Sequence, residues 1–308
     1  VSTTENSAAA SAPRNALVGI DIGGTKIDVA VVVDGTRHSR RLPTRAEHGA
    51  VQAIERALST VTALVDDAGA TDVSAMSVAV PGAVDNGVIR MADNIPDLEG
   101  LNLAAMVGEV FPHTTLSLVN DLNAAATAQL AAGLVPRQGV GVVIGLGTGT
   151  AAGIIVDGQL RSGARGAAGE IGYSRIVLTG GTDAEPARLE DLAGGRALDR
   201  LAAESGLASA QELLDRAETD DATAAVVLPR LDAVGRAIAF CQHLLDPDAL
   251  VVFGGMSAHP LLRRRVEAVL AGELPEPPTV RWLAPGSNAS LEGALHHAAM
   301  LADAPVPA

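Results

Sequence analysis

Two segments far apart in the chain repeat one pattern, and that repetition constrains the possible folds more than any other feature. The first is Val18-Gly19-Ile20-Asp21-Ile22-Gly23-Gly24-Thr25-Lys26-Ile27-Asp28-Val29-Ala30-Val31: an apolar strand, a turn carrying Gly23 and Gly24, and a second strand returning beside the first. In the second, residues 140–146 read as a strand, Gly147-Thr148-Gly149 as a turn, and residues 150–156 as the returning strand. Glycines at such turns accept φ > 0 and let backbone N–H groups approach a phosphate without a Cβ in the way. A third glycine pair, Gly254-Gly255, ends an apolar strand at 249–253, again before a helix. Two strand–glycine turn–strand units with helices between them predict a duplicated α/β architecture and a cleft between its halves. Nucleotide and substrate usually meet in such clefts.

The intervening sequence fits this plan. Residues 36–42 supply a third antiparallel strand. Val51, Ile54, Leu58, Val61 and Val65 then recur at helical spacing and predict an amphipathic helix ending near Gly69. A buried strand at 73–80 runs into Pro81-Gly82, followed by loops at Asp85-Asn86-Gly87 and Ala92-Asp93-Asn94-Ile95-Pro96. A short helix at 103–110 leads to a strand at 115–119 that stops at Asn120-Asp121, and the alanine-rich run 124–132 reads as a helix. Residues 162–184 are glycine-rich and read as irregular. Helices follow over 189–245, with breaks near Gly194-Gly195, Gly206 and Asp220, then a last strand at 280–283 and a last helix at 291–301.

Composition narrows the function classes. The net charge of −14 argues against nucleic acid or an anionic membrane surface as partner, but not against ATP, because a local cluster of backbone donors can bind phosphates in an acidic protein. Lys26 is the only lysine, and Cys241 the only cysteine, so an intrachain disulfide and a cysteine zinc cluster are both excluded. Cys241 falls on the helical stripe Val227, Leu231, Val234, Ile238, Cys241, Leu245 and reads as a small core residue. None of the seven histidines has metal-site spacing; His296 and His297 read as helix surface. No apolar run approaches the length of a membrane span, and residues 1–15 read as a flexible tail rather than a signal peptide, so a cytoplasmic protein is expected.

The glycine turns match neither G-x-x-x-x-G-K-[ST] nor G-x-G-x-x-G, which leaves little support for a Walker-type NTPase or a Rossmann dehydrogenase. Asp21, at the end of its strand, can hold a phosphate-bound Mg²⁺ through water, or belong to an ordinary hairpin. Asp121, just beyond a buried strand, can act as a base at the cleft or cap the following helix.

The motifs together resemble the ROK family of sugar kinases, within the actin-like ATPase superfamily. The carriers are Gly19-Ile20-Asp21-Ile22-Gly23-Gly24-Thr25-Lys26, Val80-Pro81-Gly82, Val119-Asn120-Asp121 with Asn123-Ala124-Ala125-Ala126, Leu146-Gly147-Thr148-Gly149, Gly169-Glu170-Ile171-Gly172 and Val252-Phe253-Gly254-Gly255, in family order from Leu17 to Leu301. The resemblance implies an actin-like (ribonuclease H-like) duplicated α/β fold: a small domain of residues 16–119 plus 294–308, a large domain of residues 120–293, and a cleft between them. It implies ATP with Mg²⁺ as cosubstrate, and nucleotide contacts at Asp21, Gly23, Gly24, Thr25, Lys26, Gly147, Thr148, Gly149, Gly254 and Gly255. By the same resemblance Asp121 is the catalytic base, and Gly82, Asn94, Asn120, Glu170 and Glu190 bind sugar hydroxyls. For Glu190 a carboxylate stabilised at a helix start is the alternative.

The chain departs from the family at one point. Many members follow Glu-x-Gly with a histidine and then a zinc-binding cysteine cluster; here the position is Tyr173, and residues 174–188 contain neither Cys nor His. No zinc site is expected, and Tyr173 either donates its hydroxyl to the sugar or packs. The implied activity is transfer of the γ-phosphate to the 6-hydroxyl of a hexose or amino-hexose (glucose, glucosamine and kanosamine are candidates), by a homodimer, with ATP or polyphosphate as donor. The alternative is a catalytically inactive, sugar-sensing regulatory member, although the segment before Leu17 is short for a DNA-binding domain.

Overall fold

The computed structural model describes residues 14–92, 95, 97–178, 185–284 and 288–303. It contains two sheets of the same topology. In the first, β1 (Asn15–Ile22), β2 (Lys26–Val33) and β3 (Thr36–Pro43) run antiparallel, and β4 (Asp72–Val80) and β7 (Thr115–Asn120) extend the sheet in parallel, in the order β3-β2-β1-β4-β7. Between β4 and β7 lie a small hairpin, β5 (Ala83–Asp85) with β6 (Val88–Arg90), and helix α2 (Leu103–Val110). In the second sheet β8 (Val140–Leu146), β9 (Thr150–Val156) and β10 (Gln159–Leu160) are antiparallel, and β11 (Ala249–Phe253) and β12 (Val280–Trp282) are parallel, in the order β10-β9-β8-β11-β12. This is the duplicated α/β fold that the repeated hairpins predict, in the actin-like form that the resemblance implies.

Alternation along each strand decides what covers each face. In β1 the residues Ala16, Val18, Ile20 and Ile22 are all fully buried, and they pack with the apolar stripe of α1 (Ala50–Asp67). Each such aliphatic side chain contributes roughly 1.5–3 kcal/mol of burial. The opposite face of the sheet carries the small residues Gly19 and Ala79 and receives α9 (Ala289–Asp303). In the second sheet Val142, Ile144 and Leu146 face the helical layer, and Val143 and Val251 face α3 (Asp121–Ala131). That layer comprises α4 (Leu189–Ala193), α5 (Gly195–Glu204), α6 (Ala210–Ala217), α7 (Asp221–Leu245) and α8 (Pro260–Glu273). Cys241 on α7 is buried there, and burial pushes its thiol pKa up.

Helices α3 and α9 join the two halves. The alanine run of α3 is buried on nearly every side, because sheet and α9 flank it. The approach is close enough that a Cβ on Gly293 would overlap the Ala124 carbonyl. Both glycine turns then open toward one cleft between the sheets.

Three local expectations are corrected. The Asp85-Asn86-Gly87 loop is the turn of the β5–β6 hairpin, with Asn86 and Gly87 both at positive φ. Helix α3 begins at Asp121, ahead of the alanine run, because Asn120 caps it. His297 is not on the helix surface: it is half-buried between α9 and α3, 3.1 Å from Thr127 Oγ1, and burial lowers its pKa.

Candidate active site

Each glycine turn is held from behind by side chains or amides that take up its carbonyl groups. In the first, Gly23 N–H donates to Lys26 O at 2.9 Å, closing the turn. Buried Thr44 donates its hydroxyl to Gly23 O at 2.5 Å and its N–H to Thr25 O at 3.0 Å. In the second, Gly195 and Arg196, at the start of α5, donate their N–H groups to Gly147 O and Thr148 O at 2.9 and 3.1 Å. In a trans peptide the C=O and the following N–H point in opposite directions. The N–H groups of Gly24, Thr148 and Gly149 therefore point away from these braces, and all three residues line the cleft. Such convergent donors form an anion-binding concavity. Gly254, at φ 111°, lies beside the second turn, where a Cβ would overlap the Leu146 carbonyl.

Asn120 organises the opposite wall. Its Oδ1 accepts from Leu122 N and Asn123 N at 2.9 and 3.0 Å, capping α3, while its Nδ2 donates to Gly82 O at 3.0 Å and Glu170 Oε1 at 3.3 Å. Both donors and both acceptor positions of the amide are thus in use. Gly82 sits at φ 88°, where a Cβ would overlap the carbonyls of Arg90 and Met91. The capping that sequence reasoning allowed to Asp121 is done by its neighbour. Asp121 occupies the first helical position and accepts from Leu122 N at 2.7 Å through Oδ1.

Carboxylates dominate the electrostatics. Burial raises Asp121 to about 6 against the opposing hydrogen bond from Leu122, with Glu190 adding to the rise. Burial, then Asp121 and Glu190, raise Glu170 to about 7. Asp21 is also pushed up to about 7, by burial first, then by Asp121 and Asp28; Lys26 and Arg41 oppose this. Asp28 stands directly across the hairpin from Asp21, and Arg41 holds it in a two-pronged ion pair at 2.7 and 3.1 Å. Glu190 reaches under the second turn, where its Oε2 accepts from Thr150 N at 3.1 Å.

The donor set fits Mg²⁺. Asp21 offers a hard carboxylate oxygen that could hold the ion through water, and a divalent cation would offset the charge of Asp121 that raises the Asp21 pKa. Among the described residues no group of three or more His, Cys, Asp or Glu side chains forms a cage.

Most of the residues expected from sequence meet in this cleft: Gly23, Gly24, Thr25, Lys26, Gly82, Asn120, Asp121, Gly147, Thr148, Gly149, Glu170, Tyr173, Glu190 and Gly254 all line it. Two do not. Gly255 is exposed outside the lining, and Asp21 feels the charge of Asp121 without lining the cavity. Asn94 lies outside the described residues. Tyr173 directs its hydroxyl to Met91 O at 3.0 Å, and Arg188 stacks 4.4 Å from its ring centre, so it ties the 91 loop to the second half of the molecule. Sequence reasoning missed Thr44, Thr150, Arg196 and Ser290. Thr150 Oγ1 is buried at the cleft without a hydrogen-bond partner among the described residues.

The model of the ROK family matches residues 17–301. The chain belongs to the ROK family. ROK relatives include a glucokinase of Thermotoga maritima, 28% identical over 272 residues, covering 80% of this chain and 83% of that one. An N-acetylmannosamine kinase of Haemophilus influenzae is 28% identical over 243 residues, covering 77% and 79%. A solved ROK family glucokinase from Streptomyces griseus, in complex with glucose and AMPPNP, superimposes with a TM-score of 0.70 at 27% identity, covering 92% of this chain and 99% of that one.

Proposed function

We propose that this ROK protein is an ATP-dependent sugar kinase that transfers the γ-phosphate to the 6-hydroxyl of a hexose or amino-hexose. The observation that carries the reading is the juxtaposition, in one cleft, of two braced glycine turns and the carboxylates of Asp121, Glu170 and Glu190. The turns supply donors for a phosphate chain, and the carboxylates supply acceptors for sugar hydroxyls.

In this reading Asp121 accepts the proton of the attacking hydroxyl as its oxygen bonds to the γ-phosphorus and the bond to the ADP oxygen breaks. With its pKa near 6, Asp121 is largely ionised at neutral pH yet basic enough to take a proton. Its Oδ1 is anchored by Leu122 N–H, which orients the carboxylate and leaves Oδ2 for the sugar. Glu170, with a pKa near 7, both accepts and, when protonated, donates hydrogen bonds. Asn120 exchanges its longest bond, the 3.3 Å contact to Glu170, for a sugar hydroxyl. Gly82 contributes at the sugar end through its backbone, and Asn94 is assigned to a sugar hydroxyl by the family resemblance alone. A bound Mg²⁺, held by Asp21 through water and by the phosphates, would offset charge on the transferring group.

Burial first, then the charges of Asp121 and Glu190, raise the Glu170 pKa, so three carboxyl groups crowd the sugar end. An ammonium on the sugar would relieve it, which supports an amino-hexose such as glucosamine or kanosamine over a neutral hexose. A panel of glucose, glucosamine, kanosamine and N-acetylmannosamine, assayed by ADP release, tests this. An amino sugar with the highest kcat/KM is expected; equal turnover of glucose would remove the ammonium argument.

A further inference from the structure

A phosphate chain entering this cleft meets carboxylates as well as amides, in a protein of net charge −14. Among the described residues lining it, the cations are Lys26 and Arg196. Lys26 is already engaged, with Nζ 3.7 Å from Asp28 Oδ2. The exposed guanidinium of Arg196 makes no ion pair or hydrogen bond with any described residue.

The position of Arg196 follows from the turn. Its own N–H donates to Thr148 O at 3.1 Å, and the preceding Gly195 donates to Gly147 O. No side chain fits at Gly195, because a Cβ there would crowd the Gly147 carbonyl. Arg196 is therefore the first side chain on α5 beside the turn, and it lines the cleft together with Thr148 and Gly149. The start of α5 offers no further anion site through these two amides, since the turn carbonyls consume them.

We propose that Arg196 is a donor-binding residue: its guanidinium grips the phosphoanhydride chain whose adjacent oxygens the Thr148 and Gly149 amides receive. The assignment rests on the kinase reading and extends it. Guanidinium suits the role because it presents a planar fork of donors to phosphate oxygens and stays charged at every working pH. A lysine at this place would supply charge without the fork.

The test is equilibrium binding by calorimetry, using ADP, AMPPNP and inorganic tripolyphosphate as probes. Arg196→Ala keeps the backbone N–H bond to Thr148 and places a good helix former in α5. It should weaken all three probes by roughly 10- to 100-fold, the scale of a charged hydrogen bond. Arg196→Lys should recover only part of the loss. Wild-type affinity should fall with added salt more steeply than that of Arg196→Ala. Sugar binding, titrated without donor, should be unchanged.

Equal binding of the probes by wild type and Arg196→Ala overturns the assignment and leaves the kinase reading standing. A loss confined to the nucleotides, with tripolyphosphate unaffected, also overturns it, because the contact would then be to base or ribose. Loss of sugar affinity places Arg196 at the other end of the cleft and refutes the assignment equally. A wild-type protein that binds none of the probes removes this proposal and the kinase reading together.

Discussion

Replacing Asp121 by Asn should make the protein more stable and nearly inactive, with both effects traceable to one carboxylate. The amide is isosteric and can still accept from Leu122 N–H through its oxygen, so the start of α3 is preserved. The electrostatics change. Burial holds the Asp121 pKa at about 6 against an ordinary 3.8. Below pH 3.8 the carboxyl is protonated in both folded and unfolded chains, and no difference arises. Between pH 3.8 and about 6 the unfolded chain ionises while the folded carboxyl keeps its proton, so wild-type stability falls across that window and the loss is complete above about 6. At about 1.4 kcal/mol per pKa unit, less a discount for solvent at the cleft mouth, the loss is on the order of 2 kcal/mol.

Asn does not titrate. Its advantage should therefore be small near pH 4 and full near pH 8, amounting to a few degrees in melting temperature. Removing the charge should also lower the pKa values of Asp21 and Glu170, which Asp121 raises. Turnover should fall by roughly 10² or more, the scale of a lost general base, while calorimetric affinities for sugar and nucleotide stay near wild type. Thermal melts at pH 4 and pH 8, beside steady-state kinetics, measure both effects. Wild-type turnover would remove Asp121 from the mechanism. A stability gain equal at the two pH values would refute the desolvation argument.

Other expected outcomes follow from the same geometry. Gly24→Val should raise the apparent KM for ATP or abolish activity with native circular dichroism, because a β-branched residue disfavours the turn and crowds its outward amide; normal ATP kinetics would reduce this hairpin to a structural one. Thr44→Val leaves the Gly23 carbonyl without its hydroxyl donor, so it should cost about 1–3 kcal/mol in denaturant melts and raise the KM for donor with little change for sugar. The protein should purify with substoichiometric zinc by elemental analysis, and chelation should be fully reversed by Mg²⁺ alone; about one zinc per chain, with ligands from His and Asp or Glu, would contradict this.

The features legible in the sequence were those set by local periodicity. The two hairpins, the α1 stripe and the helix breaks at Gly194-Gly195 and Asp220 lie where spacing and turn chemistry put them. The alanine run of α3 was legible as a helix. Its burial on nearly all sides became visible only once α9 came back beside it. Residues that act through tertiary contacts left no local signal. Thr44 follows an edge strand and looks like any loop threonine, yet it braces a turn nineteen or more residues upstream. Arg196 stood in the sequence as the residue after a helix-breaking glycine pair, and only the fold brings it beside Thr148. Asp121 could be read as base or as helix cap, and the hydrogen bonds give the cap to Asn120 instead: the amide caps, and the carboxylate faces the cleft. Tyr173 had two open readings, donor to the sugar or packing residue. Its bond to Met91 O favours a clasp across the molecule, a distance of 82 residues in sequence that no local pattern encodes.

The most direct test of the account is ³¹P NMR of the purified protein with Mg²⁺, ATP and a hexose or amino-hexose acceptor, following product and nucleotide together. The account predicts a sugar phosphate signal coupled to the C6 protons, growing in step with ADP and absent when the sugar is omitted or Asp121 is replaced by Asn. ATP hydrolysis that does not depend on sugar, or no phosphate transfer to any sugar of the panel, would contradict it.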